Sequence, residues 1–133
     1  MFYDDFGATL CALYREDAAI VALCAAGIVI RTLAGVLAGD DSGNGNTDKT
    51  VEPPVLALAA DGSAVVPLLG GLSGVNVMAR EIAATLQITP AITTSGELRF
   101  GTCLLHPPAG YALADIEAGK HFVSDLLAGA SLR

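Results

Sequence analysis

Apolar residues along this chain fall into two rhythms, one helical and one strand-like. Tyr3, Phe6, Leu10, Leu13 and Tyr14 recur at three- and four-residue spacing and predict a helix over 4–15. Ala18–Cys24 is an unbroken apolar run and predicts a buried strand, with Ala25-Ala26-Gly27 as a short turn after it. Helical spacing returns over 28–38, with Ile28, Leu33, Val36 and Leu37 as the inward positions. Pro54–Ala59 and Ala64–Leu69 flank Ala60-Asp61-Gly62-Ser63, and Asp-Gly between two such runs predicts a hairpin. Over 75–87, Val75, Met78, Ala79, Ile82 and Leu86 form one helical stripe, while Asn76, Arg80, Glu81 and Gln87 lie off it. Pro90–Thr93 predicts a short strand and Ser95-Gly96 a turn. Pro107-Pro108 breaks the chain before a last helix over about 115–128. Ile116, Val123, Leu126 and Leu127 are its inner face; Asp115 is placed to cap it and Gly129 to end it.

This order predicts an α/β layered domain with a central mixed sheet flanked by helices. A length of 133 residues suits a single domain over 1–133. Hydrophobic residues make up 53%, but aromatics only 5% and Trp is absent, so the core must be packed from Ala, Val, Leu and Ile. The apolar stretch Ala18–Gly39 is long enough to span a bilayer. Arg31 and Thr32 interrupt it and Gly27 divides it, which fits a strand, turn and helix better than a membrane span. Asp4 and Asp5 stand where a signal peptide would be basic, so no leader and a cytoplasmic location are expected. Asp40–Thr50 has the composition of a surface loop, either an insertion or a flexible lid.

A net charge of −7 disfavours nucleic acid as a partner. It also requires any anion site to be locally positive. Cys11, Cys24 and Cys103 have no CxxC spacing and read as reduced thiols. His106 and His121 belong to no ligand cluster, so neither a metal nor a cofactor is expected. The signatures GxSxG, GxGxxG and the P-loop are missing. Asp4/Asp5 and Asp40/Asp41 read as solvated charge.

Three turns could carry chemistry: Ala25-Ala26-Gly27, Gly70–Gly74 and Thr93-Thr94-Ser95-Gly96. If the strands before them run parallel, all three face one crevice at the strands' carboxyl ends. Helix N-termini, hydroxyls and Arg31 would then converge on a carboxylate-bearing ligand. The candidate binding residues are Gly27, Arg31, Gly70, Gly71, Ser73, Gly74, Asn76, Thr93 and Thr94. Each has a structural alternative: glycines for tight bends, Arg31 as a solvated or ion-paired side chain, Asn76 as a cap, and the threonines as strand formers.

The sequence also resembles a known family. Ala25-Ala26-Gly27-Ile28-Val29-Ile30-Arg31, then Asp48-Lys49 with Glu52-Pro53-Pro54-Val55, then Asp61-Gly62 with Val66-Pro67-Leu68-Leu69-Gly70-Gly71, is similar to the N-terminal domain of CbiG, a cobalamin biosynthesis protein. The likeness continues through Gly74, Asn76, Ala79-Arg80 and Ile92-Thr93-Thr94, and covers roughly 8–100. The tail, with Pro107-Pro108-Ala109-Gly110-Tyr111 and Leu126-Leu127-Ala128-Gly129, resembles the segment that joins this domain to a precorrin-3B methyltransferase in fused proteins. The resemblance then implies that residues 101–133 are an extension or linker helix, and it leaves open whether the chain is complete or, as the expectation leans, a piece of a longer fusion. The resemblance implies a precorrin or cobalt-precorrin tetrapyrrole as ligand and a precorrin methyltransferase as partner. It also implies opening of a lactone with release of a two-carbon fragment. The family has His directly after the two glycines of the loop, where this chain has Leu72. Leu can neither take nor give a proton. The alternative to a hydrolase is therefore a noncatalytic module that binds the tetrapyrrole or docks the methyltransferase.

Overall fold

A computed structural model describes residues 5–39 and 52–131. The loop Asp40–Thr50 therefore lies outside the described residues. The chain divides into two compact units, Met1–Ala91 and Ile92–Arg133.

The first unit is a three-layer arrangement around a three-stranded mixed sheet, ordered β1-β2-β3. Helix α1 (Phe6–Arg15) is capped by Asp5, whose Oδ1 accepts the Ala8 N–H at 3.0 Å. It leads to β1 (Ile20–Leu23) and then to α2 (Ala26–Ala38). Strands β2 (Val55–Leu58) and β3 (Val65–Leu69) form the expected hairpin and pair antiparallel, while β1 pairs parallel with β2. Helix α3 (Val75–Leu86) follows.

Alternation along β2 builds two cores, one on each face of the sheet. Val55 and Ala57 join Ile20 and Ala22 beneath α1 and α2, with Leu10, Tyr14, Val29 and Leu33 above them. Leu56 points the other way, into a cluster with Val65, Val75, Ala79 and Ala83 beneath α3. Apart from Tyr14, the buried residues of both cores are Ala, Val, Leu and Ile, as the composition demands. The buried side of α2 is Val29 and Leu33, whereas Ile28 is exposed. Ile28-Val29-Ile30 is apolar throughout, so spacing alone could not fix the helical phase. On α3, Ala83 is buried and Leu86 exposed, again a shift from the expected stripe.

Pro90–Thr93 forms no strand. Pro90 has no N–H to donate to a ladder, and a single bond from Ala91 N–H to the Val65 carbonyl at 2.9 Å replaces it. The second unit carries α4 (Ser95–Phe100), where a turn at Ser95-Gly96 was expected, and α5 (Ile116–Leu127). Asp115 Oδ1 accepts the Ala118 N–H at 3.0 Å and caps α5 as expected. Arg99 donates to the Leu127 carbonyl at 2.8 Å, closing the far end of that helix from α4. No helix among the described residues is long and apolar enough to cross a membrane.

Candidate functional site

Register within the first unit decides which candidate residues can meet. Leu23 pairs with Leu58, and Leu58 with Val65. Ile20 pairs with Val55, and Val55 with Leu69. The turn after β1 therefore leaves one end of the sheet, and the turn after β3 leaves the opposite end. The two ends are about 13 Å apart at ~3.3 Å per strand residue. The expected common crevice does not form between them, because β3 runs antiparallel to β1 rather than parallel. Thr93 and Thr94 belong to the second unit, where Thr94 is the N-cap residue of α4.

At the first end, α2 starts at Ala26, so Gly27 lies within its first turn. The N-cap is Ala25 and makes no side-chain cap hydrogen bond. Arg31 folds back along the helix toward its N-terminus, the direction helical side chains favour. A Cβ added to Gly27 would stand 3.2 Å from Arg31 Nη1. Gly27 and Arg31 are thus brought together. A guanidinium beside the positive end of a helix is a like-signed pairing that an anion relieves. Beside them is a shallow hollow of about 360 Å³, lined by Cys24, Ala25, Ala26, Ala57, Ala59, Ala60, Ala64 and Val66. Partial burial raises the Cys24 thiol above its ordinary pKa, which keeps it protonated and weakens it as a nucleophile.

The hairpin turn lies at this same end. Asp61 Oδ1 accepts the Ser63 N–H at 3.0 Å, and hydrogen bonds from Ser63 hold the Asp61 carboxyl below its usual range.

At the second end, the β3–α3 turn is welded to the chain entering β2. Gly70 has a φ of 84°, and a Cβ there would meet Pro54 Cα at 2.5 Å and the Pro53 carbonyl oxygen at 2.7 Å. Glu52 Oε2 accepts the Gly70 N–H at 2.8 Å. Ser73 Oγ donates to the Glu52 main-chain carbonyl at 2.5 Å. The N–H groups of Ser73 and Val75 both donate to the Gly70 carbonyl, at 2.9 and 3.2 Å. The Ser73 hydroxyl and amide and the Gly70 amide are therefore engaged within the protein. Gly74 caps α3 with a φ of 90°. Asn76 is 2% exposed, on the second residue of that helix. A register irregularity between Val55 and Leu56 bends the ladder just before this turn.

Glu52 holds this turn, although in the sequence it stands out only within the motif Glu52-Pro53-Pro54-Val55 and not among the candidate binding residues. Tyr14 stands near it. Burial raises the Tyr14 phenol above its ordinary value of 10.0, and the carboxylates of Glu52 and Asp17 raise it further. A raised folded-state value means the folded chain keeps its proton where the unfolded chain loses it. That stabilisation is complete below pH 10 and is lost as pH rises through the folded value. Tyr14→Phe should therefore lose less stability than the parent as pH rises above about 10, measured as denaturant midpoints. Parallel losses in both proteins would refute the coupling.

Among the described residues, no group of three or more His, Cys, Asp or Glu is placed to hold a metal ion. Cys11, Cys24 and Cys103 are half-buried, without a disulfide.

Fold and turns define a small mixed α/β domain that presents glycine-bearing turns at both ends of its sheet. Residues 8–97 match the family described as Cobalamin synthesis G N-terminal (CbiG_N), and the chain belongs to that family. It is 28% identical over 100 residues to a cobalt-precorrin-5A hydrolase from Priestia megaterium. That match covers 74% of this chain and 24% of the relative. A crystal structure of a cobalamin biosynthesis protein G homolog from Sulfolobus solfataricus is 26% identical, with a TM-score of 0.45, covering 85% of this chain and 32% of that one. The chain thus spans about a quarter to a third of the proteins it matches.

Proposed function

We propose that this chain is a cobalamin-pathway domain that binds a cobalt-precorrin through the ligand's carboxylates and, by itself, releases it unchanged. The observation that carries this reading is the family match over 8–97, which includes both turns. The relative's name, cobalt-precorrin-5A hydrolase, supplies the ligand class. Such a ligand is a large ring bearing many carboxylates.

Electrostatics favours the α2 end as the primary contact. Arg31 and the helix N-terminus are positive there, against the single Asp61 carboxylate of the hairpin turn, and the neighbouring hollow is apolar. Gly27 lets the guanidinium lie close to the helix. The turn of Gly70, Gly71, Ser73 and Gly74, with Asn76 behind it, is a secondary contact whose charge Glu52 makes negative. Thr93 and Thr94 are proposed as binding residues of the second unit taken by itself. A precorrin methyltransferase is the proposed partner, from the resemblance of residues 101–133 to a joining segment. The proposed compartment is the cytoplasm.

Binding without turnover follows from the chemistry of the loop. Hydrolysis adds water across the lactone and needs a group that removes a proton from that water. Leu72 has no ionisable atom, and the Ser73 hydroxyl already donates to the Glu52 carbonyl. The competing reading is a lactone hydrolase that uses another proton carrier, and the same experiment separates the two.

Titration with cobalt-precorrin-5A, followed by absorbance, should give a saturable spectral change and no two-carbon fragment. Arg31→Ala should weaken binding about fivefold, the share of an exposed charge-assisted contact. Release of the fragment would favour the hydrolase reading. An unchanged spectrum at every ligand concentration would sink the corrinoid reading altogether.

A further inference from the structure

We propose that Glu52 is the positioning residue of the turn 70–74, and that its carboxylate acts there as an internal substitute for a ligand carboxylate. The ligand half of this inference rests on the corrinoid reading above. The structural half stands on the turn alone.

Glu52 holds the turn at two points. Its side-chain Oε2 accepts the N–H of Gly70, eighteen residues on, and its main-chain oxygen accepts the hydroxyl of Ser73. One residue thereby fixes the first and fourth positions of the turn. Pro53 and Pro54 stiffen the segment that delivers it, since each proline fixes φ. Gly70 in turn sits so close to both prolines that no Cβ fits. The two segments form one rigid piece, although they are remote in sequence.

The bond from Gly70 N–H to Glu52 is charge-assisted, the same bond that a turn amide makes to a bound carboxylate. An external carboxylate arriving at Gly70 finds that donor taken and a negative charge beside it. Glu52 therefore shapes the turn and lowers its affinity for acids. These two effects separate by substitution. Glu52→Gln keeps an oxygen acceptor for Gly70 and removes the charge. Glu52→Ala removes both.

Amide exchange at Gly70, read by NMR on the labelled protein, tests the positioning. Exchange should stay within about threefold of the parent in Glu52→Gln and rise about tenfold or more in Glu52→Ala, as expected when a buried-side acceptor is removed. Titration with cobalt-precorrin-5A tests the charge. Affinity should rise about threefold in Glu52→Gln, because one repulsive charge is gone, and fall below the parent in Glu52→Ala.

Unchanged Gly70 exchange in Glu52→Ala would overturn the positioning role. A loss of affinity in Glu52→Gln as large as that in Glu52→Ala would overturn the substitute-carboxylate role. If the parent itself fails to bind the tetrapyrrole, the corrinoid reading falls and takes the ligand half with it. Gly70 exchange in the same samples then decides the positioning role independently. If Glu52→Ala does not fold, Glu52→Gln carries the test: Gly70 exchange far above the parent there shows that the neutral oxygen cannot hold the turn, and the assignment to an acceptor oxygen fails.

Discussion

Gly70→Ala is expected to lower stability by about 4 kcal/mol, while Gly71→Ala next door changes it by less than about 0.5 kcal/mol. The two glycines look equivalent in sequence and are opposite in structure. Gly70 has a φ of 84°, a region that costs an L side chain about 1–2 kcal/mol. Its Cβ would also lie 2.5 Å from Pro54 Cα and 2.7 Å from both the Pro53 oxygen and the Pro54 nitrogen. All three are backbone atoms, so no rotamer change relieves the overlap. Relief requires the turn to move away from β2, and overpacking of this kind costs about 1–3 kcal/mol. Moving the turn also stretches the charge-assisted bond to Glu52, worth about 1.5–3 kcal/mol. At Gly71 a Cβ meets nothing within 4 Å. A thermal melt followed by circular dichroism should place Gly70→Ala roughly 15–30 °C below the parent, for a unit of this size. A Gly70→Ala protein that melts within a few degrees of Gly71→Ala would contradict the close approach.

Much of this fold was legible because helices and hairpins are local. Spacing located α1, α2, α3 and α5, and Asp61-Gly62 located the hairpin. The family was legible from short motifs in order. The shared crevice was not there to be read, and two of the sequence's own signals already opposed it. A hairpin turns β3 against β2. A strand–helix–strand crossover, with β1 parallel to β2, then puts the turns after β1 and β3 at opposite ends. Strand direction is a non-local property, and residue pattern within one turn carries no trace of it.

The clamp at Glu52 was hidden for the same reason. Glu52 and Gly70 are eighteen residues apart, and each alone suggests only a loop acid and a tight bend. Their pairing depends on the hairpin register that brings Val55 opposite Leu69. At the other end, Arg31 was legible as a candidate because it lies four residues after Gly27, one helical turn. Glycine there leaves open the space into which the guanidinium folds.

Leu56→Ala is expected to cost about 3–4 kcal/mol, within the range for deleting a fully buried leucine side chain. Leu56 is completely buried on the central strand β2. Its neighbours beneath α3 are Val65, Val75, Ala79 and Ala83, with Leu58, Met78, Ile82 and Ile88 at the margin. Alanine and valine have short side chains, so this layer has little with which to refill a void. The cavity term should therefore remain nearly whole. Leu23 supplies the contrast. It is on the edge strand β1, is 61% exposed, and should lose less than about 0.5 kcal/mol on truncation to Ala. Denaturant unfolding of both variants checks the difference. The consequence reaches the turn, because α3 begins at Val75 and that residue packs in the same cluster as Leu56. Loosening α3 should raise amide exchange at Ser73 and Val75 together, since both donate to the Gly70 carbonyl. If Leu56→Ala is destabilised without faster exchange at those two amides, the turn is held by Glu52 and the prolines and not by the core beneath α3.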